Sequence, residues 1–150
     1  MTITYNDTKK DLPVDQLYHL FRTAGWTGSE STPDPYILKN FNMPFINSTL
    51  VISAWDNDHL VGAARVMSDR IIRSVIYDLV VDPEYQGIGI GKELIRRCMA
   101  HFPDSEWLVQ TEKHISGYYE KLGFAVYNGV VLSIPSKYSR NNHSSELSFS

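Results

Sequence analysis

The chain has a single cysteine, Cys98, in 150 residues, so it cannot form an internal disulfide. It has no run of about 18 apolar residues of the kind that crosses a membrane. Its start, MTITYNDTKK, has no apolar secretory segment. Together these absences point to a reducing cytoplasm. Positive charge is also scarce: the net charge of −3 argues against a general nucleic-acid binder. His19, His59, His101, His114 and His143 show no metal-ligand spacing, so no metal is expected. There is no internal repeat and no interdomain linker.

The hydrophobic content is 43%, enough for one core. The predicted organisation is a single domain over residues 1–138 with a polar, mobile tail over 139–150. Ile3 to Tyr5 reads as a strand. LPVDQLYHLFRTAGW reads as a helix with Pro13 in its first turn and Gly25 as its stop. A short helix is expected from Tyr36 to Asn42. STLVISAWDNDHLVGAARVMSD reads as a hairpin turning at Asp56 to Asp58. IIRSVIYDLVVDP is the longest strand candidate, ended by Pro83. Ile90, Leu94, Ile95, Cys98, Met99 and Phe102 form a helical stripe, which makes Cys98 a core residue. WLVQTE is a further strand, ISGYYEKLG a short helix, and FAVYN and VVLSIP a hairpin across Asn128-Gly129. The resulting fold class is α/β: one layered domain mixing strands and helices.

Between the long strand and the helix lies QGIGIGK, Gln86 to Lys92, with glycines at 87, 89 and 91. Glycine lets a ligand approach the backbone, and the first N–H groups of a helix lack internal partners. The segment therefore reads as an anion cradle suited to phosphate or pyrophosphate, with Lys92 and Arg96 one turn on. A tight glycine-rich connection without a ligand is the competing reading. Walker A fails because Glu93 follows Gly91-Lys92, and G-x-G-x-x-G fails because its last position is Lys92.

VVDPEYQGIGIGKELI resembles the central Q/R-x-x-G-x-G/A motif of the GCN5-related N-acetyltransferase (GNAT) superfamily, through Gln86, Gly89 and Gly91. YYEKLGF, Tyr118 to Phe124, resembles the late motif of that family, in the expected order. The resemblance covers roughly Thr49 to Phe124. It implies a mixed, mostly antiparallel sheet of about six to seven strands, flanked by about four helices, with a splay between two parallel central strands. It implies acetyl-CoA as co-substrate. The amides of Gln86, Gly87, Ile88, Gly89, Ile90, Gly91 and Lys92 would hold the pyrophosphate, with the Ile88 and Ile90 side chains in the core. Leu79, Val80 and Val81 would line the pantetheine arm.

The reaction implied is acetyl transfer to an amine, in a monomer or homodimer; a non-catalytic acyl-CoA-binding module is the alternative. Tyr119 matches the tyrosine of the family's Y-x-x-x-G-F pattern and is the candidate acid toward the departing thiolate, against a packing role. Asp78, a carboxylate inside an apolar strand, is the candidate base, against a structural role. Glu112 stands where many members carry asparagine and is a candidate for binding the acceptor or acting as base, against an exposed strand-end carboxylate; His114 is a further base candidate. The family takes acceptor specificity from its first helices and their loop. On this chain Trp26, Tyr36, Phe41 and Phe45 would form an aromatic pocket, with Glu30 and Asp34 adding negative charge, for a small-molecule amine. Arg65, Arg70 and Arg73 near the hairpin are expected on the surface, against a place at the fringe of a site, and the Arg96-Arg97 pair on a solvated helix face.

Overall fold

The computed structural model describes residues 2–25 and 34–138. The chain divides into two compact units, Met1–Val109 and Gln110–Ser150.

The first unit runs β1 (Ile3–Asn6), α1 (Val14–Thr23), α2 (Pro35–Lys39), α3 (Met43–Ile46), β2 (Leu50–Asp56), β3 (His59–Ser68), β4 (Arg73–Val81), α4 (Ile90–His101) and β5 (Glu106–Val109). Its sheet has the spatial order β1-β2-β3-β4-β5. The first three pairings are antiparallel, and β4 and β5 are parallel, joined through α4. This is the expected mixed sheet flanked by helices.

Each helix begins and ends for a local reason. Pro13 occupies the N-cap of α1, and Gly25, in the left-handed region at φ 86°, follows its end. α1 is tied to the β2–β3 turn by Gln16, whose Oε1 accepts from the Leu60 N–H and whose Nε2 donates to the Asp58 carbonyl. Asp34 caps α2 by accepting from the Tyr36 N–H at 2.8 Å, with Pro35 opening the helix. The helix expected over Tyr36 to Asn42 is thus two short ones, broken by turn residues at 40–42.

The sheet buries both faces. Leu17, Leu20, Phe21 and Phe45 pack with Val51, Ala63 and Val80 on the α1 face. On the opposite face, α4 presses on β3. A Cβ at Gly62 would meet Ile90 Cγ2 at 3.2 Å and Leu94 Cδ1 at 3.3 Å, so the glycine there permits close helix–sheet contact.

The second unit holds α5 (Ser116–Glu120), preceded by a 3₁₀ turn at Lys113–Ile115. Gly123, at φ 104°, closes the segment as expected, and its N–H bonds to Glu120 O. The hairpin expected across Asn128-Gly129 is not formed, so the sheet has five strands among the described residues rather than six to seven. β5 is accordingly an edge strand there, not a central one. An isolated two-stranded hairpin is marginal in water without an apolar surface to lean on. Val126, Tyr127, Val130, Leu132 and Ile134 are all exposed, so burial contributes nothing to fixing that pairing. The tail over 139–150 lies outside the described residues.

Gly62→Val adds a Cβ and two methyl groups against Ile90 and Leu94. It should destabilise the protein by about 1–3 kcal/mol, lowering the urea midpoint at constant slope. An unchanged midpoint would show that α4 does not press on the sheet at that point.

Candidate functional site

After β4, Asp82 accepts from the Glu84 N–H at 2.9 Å and sets a 3₁₀ turn at Pro83–Tyr85. Gly87 and Gly89 follow at φ 84° and 93°, a conformation that side chains rarely adopt. A Cβ at either position would meet nothing within 4 Å, so the space in front of this backbone is open. α4 then begins at Ile90. Among the described residues, the N–H groups from Gly87 through Lys92 donate to no protein acceptor; the first bonded one is Glu93, to Gly89 O. Ile90 is buried as expected. Ile88 is 58% exposed, which corrects its expected core position: the alternating left-handed glycines turn it outward. Lys92 makes no ion pair among the described residues. Arg96 and Arg97 both donate to Glu93, holding its carboxyl down at about 2. Cys98 is buried, and desolvation pushes its thiol up to about 12, so it is an inert core residue.

β4 carries the second feature. It pairs with β5 only from Arg73 to Ile76. β5 ends at Val109, the partner of Ile76, so the rest of β4 has no strand on that side among the described residues. The Asp82 N–H bonds to Val61 O at 2.8 Å across β3. Direction alternates along an antiparallel ladder, so Val80 also turns its polar groups to β3, whereas Leu79 and Val81 turn theirs to the unpaired side. Gln86 reaches back there, its Nε2 donating to Val81 O at 3.1 Å.

β4 also contains a bulge. Arg65 faces Asp78 and Val66 faces Ile76, leaving Tyr77 as an extra residue. The extra residue switches the faces, so that Ile76 lies on the α4 side and Asp78 and Val80 on the α1 side. Asp78 thereby enters a cavity of about 310 Å³ whose apolar wall is Phe21, Ile37, Phe41, Met43, Pro44 and Phe45. Tyr36, Asn40 and Arg65 complete the lining. Tyr36, Phe41, Phe45 and Asp78 are thus brought together. Asp34 caps α2 and is not among the residues lining the cavity. Trp26 and Glu30 lie outside the described residues.

Arg65, for which the surface was favoured over the fringe of a site, lines the cavity instead. Its Nε donates to Asp78 Oδ2, and the two side chains are 22% and 18% exposed. Its guanidinium carbon sits 6.0 Å from the Phe45 ring centroid and 5.4 Å from that of Tyr77. Desolvation raises the Asp78 carboxyl above its ordinary value, with Arg65 opposing. A usable signal was present in the sequence: Arg65 and Asp78 are each the one charge amid apolar strand residues, in GAARV and IYDLVV.

Tyr119, Glu112 and His114 belong to the second unit. Tyr119 is buried on α5, its ring edge-on to Tyr118 and Phe124 at centroid distances of 5.3 and 5.7 Å. Burial, and secondarily Tyr118, push its phenol up to about 12. Glu112 Oε2 lies 3.4 Å from His114 Nδ1, with both side chains substantially exposed.

The sequence pattern of the acetyltransferase (GNAT) domain matches residues 33–131. An uncharacterized N-acetyltransferase ycf52 of Pyropia yezoensis is 30% identical over 127 residues, covering 80% of this chain and 69% of the relative. Among solved structures, a GNAT family acetyltransferase from Streptococcus pneumoniae superposes with a TM-score of 0.72 at 23% identity, over 91% of this chain and 99% of that one. The PaiA N-acetyltransferase of Thermoplasma acidophilum, in complex with coenzyme A, superposes with a TM-score of 0.64 at 17% identity, over 87% and 94%. With the domain pattern spanning about two thirds of its residues, this mixed-sheet chain is of the acetyltransferase class and belongs to the GNAT family. No group of residues that could hold a metal ion is found among the described residues, nor any helix long and apolar enough to cross a membrane.

Asp78 predicts a pH effect of definite sign. Its carboxyl is raised in the fold, so the stability it contributes is complete below the ordinary carboxylate value of about 3.9 and is lost as pH rises through the raised value. In urea melts across that window, the stability of the protein relative to Asp78→Asn should fall as pH rises. A flat difference would show that the carboxyl is not raised.

Proposed function

We propose that the chain transfers an acetyl group from acetyl-CoA to a primary amine of a small molecule, by direct attack in a ternary complex. The observation that carries this reading is the run of unpartnered N–H groups from Gly87 to Lys92 beside the unpaired edge of β4. Those donors and the N-terminal dipole of the 12-residue α4 suit a diphosphate, and the bare glycines let it approach. The unpaired N–H groups of Leu79 and Val81 suit the amide-rich arm and a carbonyl oxygen that gains charge during acyl transfer. Val80 serves instead as a core residue, since its N–H faces β3. Coenzyme A in the superposed PaiA structure agrees with this reading. Bound acetyl-CoA supplies the acyl group as an activated thioester.

The remaining work falls to the chain. Asp78, with its raised carboxyl, takes a proton from the incoming ammonium and leaves a neutral nucleophile. The nitrogen–carbon bond forms, the carbon–sulfur bond breaks, and the thiolate takes up a proton. Tyr119 is assigned as that donor on its motif and its chemistry: a phenol raised to about 12 stays protonated at neutral pH.

Isothermal titration should show micromolar binding of acetyl-CoA to the protein, abolished in Gly89→Trp with thermal unfolding still cooperative. Absent binding to the unmodified chain, or normal binding to the variant, would overturn the loop assignment. Binding without thiol release across an amine panel would mark a non-catalytic module instead.

Tyr119→Phe should lower kcat by about 100-fold while leaving acetyl-CoA affinity near its starting value. Unchanged turnover would remove Tyr119 as the acid.

A further inference from the structure

Beside β4, the cavity holds a charge pair that the fold leaves half-used. Arg65 engages Asp78 through Nε alone. Among the described residues, neither Nη of Arg65 donates a hydrogen bond and Asp78 Oδ1 accepts none. Groups this shielded are normally satisfied, and a guanidinium edge is shaped for a carboxylate. The surrounding wall is apolar and aromatic, and at about 310 Å³ the cavity is at the small end of ligand pockets.

These features fit one ligand chemistry. A polyhydroxylated sugar would leave its hydroxyls unmet against Phe21, Phe41, Met43 and Phe45. A simple amine would satisfy Asp78 but leave the Arg65 edge unmet, and would bring a net positive charge into a cavity whose own pair is neutral. A zwitterion brings no net charge and fills both vacant valences.

We propose that the acceptor is a free α-amino acid with a large apolar or aromatic side chain, its carboxylate on the Nη edge of Arg65, its amine at Asp78 Oδ1 and its side chain against Phe21, Phe41 and Phe45. This rests on the acetyl-transfer reading and names its substrate class. The step balances as follows. The α-ammonium gives one proton to Asp78, which passes it to water. The amine nitrogen bonds to the acetyl carbon as the carbon–sulfur bond breaks. The second amine proton is lost, and the thiolate takes up one. The products are an N-acetyl amino acid, coenzyme A as thiol, and one proton in solution. Arg65 is then the residue that selects a carboxylate-bearing acceptor, a role distinct from the chemistry at Asp78.

Matched pairs isolate the carboxylate: L-phenylalanine against 2-phenylethylamine, and L-leucine against 3-methylbutylamine. Thiol release gives kcat/KM, and calorimetry with coenzyme A present gives acceptor binding. The amino acid of each pair should be preferred by at least about tenfold in both measurements, the loss expected when a site built for a charged hydrogen bond meets an analogue lacking it. In Arg65→Lys, which keeps the charge but loses the planar fork, that ratio should fall toward one. Equal or better use of the decarboxylated amines by the unmodified protein would overturn the proposal. So would acetyl-CoA binding with no binding or acetylation of either amino acid, and in that case the cofactor reading would survive. Failure to bind acetyl-CoA at all would instead overturn the acetyl-transfer reading, and this proposal with it.

Discussion

One extra residue in β4, Tyr77, determines which way the chemistry-bearing side chains point. A strand alternates its faces, so Ile76, Asp78 and Val80 would all lie on one side of an unbroken strand. The register shift opposite Arg65 and Val66 breaks that rule. Ile76 stays against the α4 side, while Asp78 and Val80 cross to the α1 side. There Val80 joins the core with Leu17 and Leu20, and Asp78 meets Arg65 at the cavity wall. Without the shift, the carboxylate would face the α4 side, on the opposite face of the sheet from Arg65.

The same strand sets the other half of the site. β5 accompanies β4 for four residue pairs and then ends at Val109. From there to Val81 the outer edge of β4 lacks a neighbour within the sheet, while on its inner edge every residue but Tyr77 is paired with β3. An exposed sheet edge is ordinarily a liability. Here it leads into a loop whose own donors are unsatisfied, so a path of unused main-chain donors has two parts, Leu79 and Val81 before the bonded 3₁₀ turn and Gly87 to Lys92 after it. Gly87 and Gly89 sustain the path because their left-handed conformation would strain other residues.

Much of this was legible in the sequence. The β2–β3 hairpin, the long β4, the stripe of α4 and the glycine segment each follow from a local rule of periodicity or turn chemistry, and the structure places them where those rules put them. The bulge was not legible, because IYDLVV reads as unbroken alternation and the shift appears only when β3 supplies its register. Arg65 was given to the surface rather than the site for the same reason: its value comes from the residue across the ladder. Ile88 was misplaced because a motif resemblance says which residues form the loop, not which way a side chain held between two left-handed glycines turns. The hairpin at Asn128-Gly129 was inferred from turn chemistry alone. A turn signal without a buried face does not fix a pair of strands. Two of the proposed site residues, Tyr119 and Glu112, stand in the unit from Gln110 onward, and their roles rest on motif and chemistry.

The Arg65–Asp78 pair itself bears on function. Removing two charges from water costs several kcal/mol per ion, and such pairs are often replaceable by apolar residues of like volume without loss of stability. With Phe45, Phe41 and Phe21 already at hand, an apolar pair at positions 65 and 78 would extend the core and close the cavity. The fold therefore has no evident need of these charges, and Asp78 carries a standing cost, visible in its raised carboxyl. A pair that adds little to stability, sits in the wall of a small apolar cavity and keeps donors and an acceptor unspent is arranged to meet something that enters. Its geometry favours an occupant carrying both charges over one carrying either alone, because such an occupant meets each unspent group and leaves the cavity neutral.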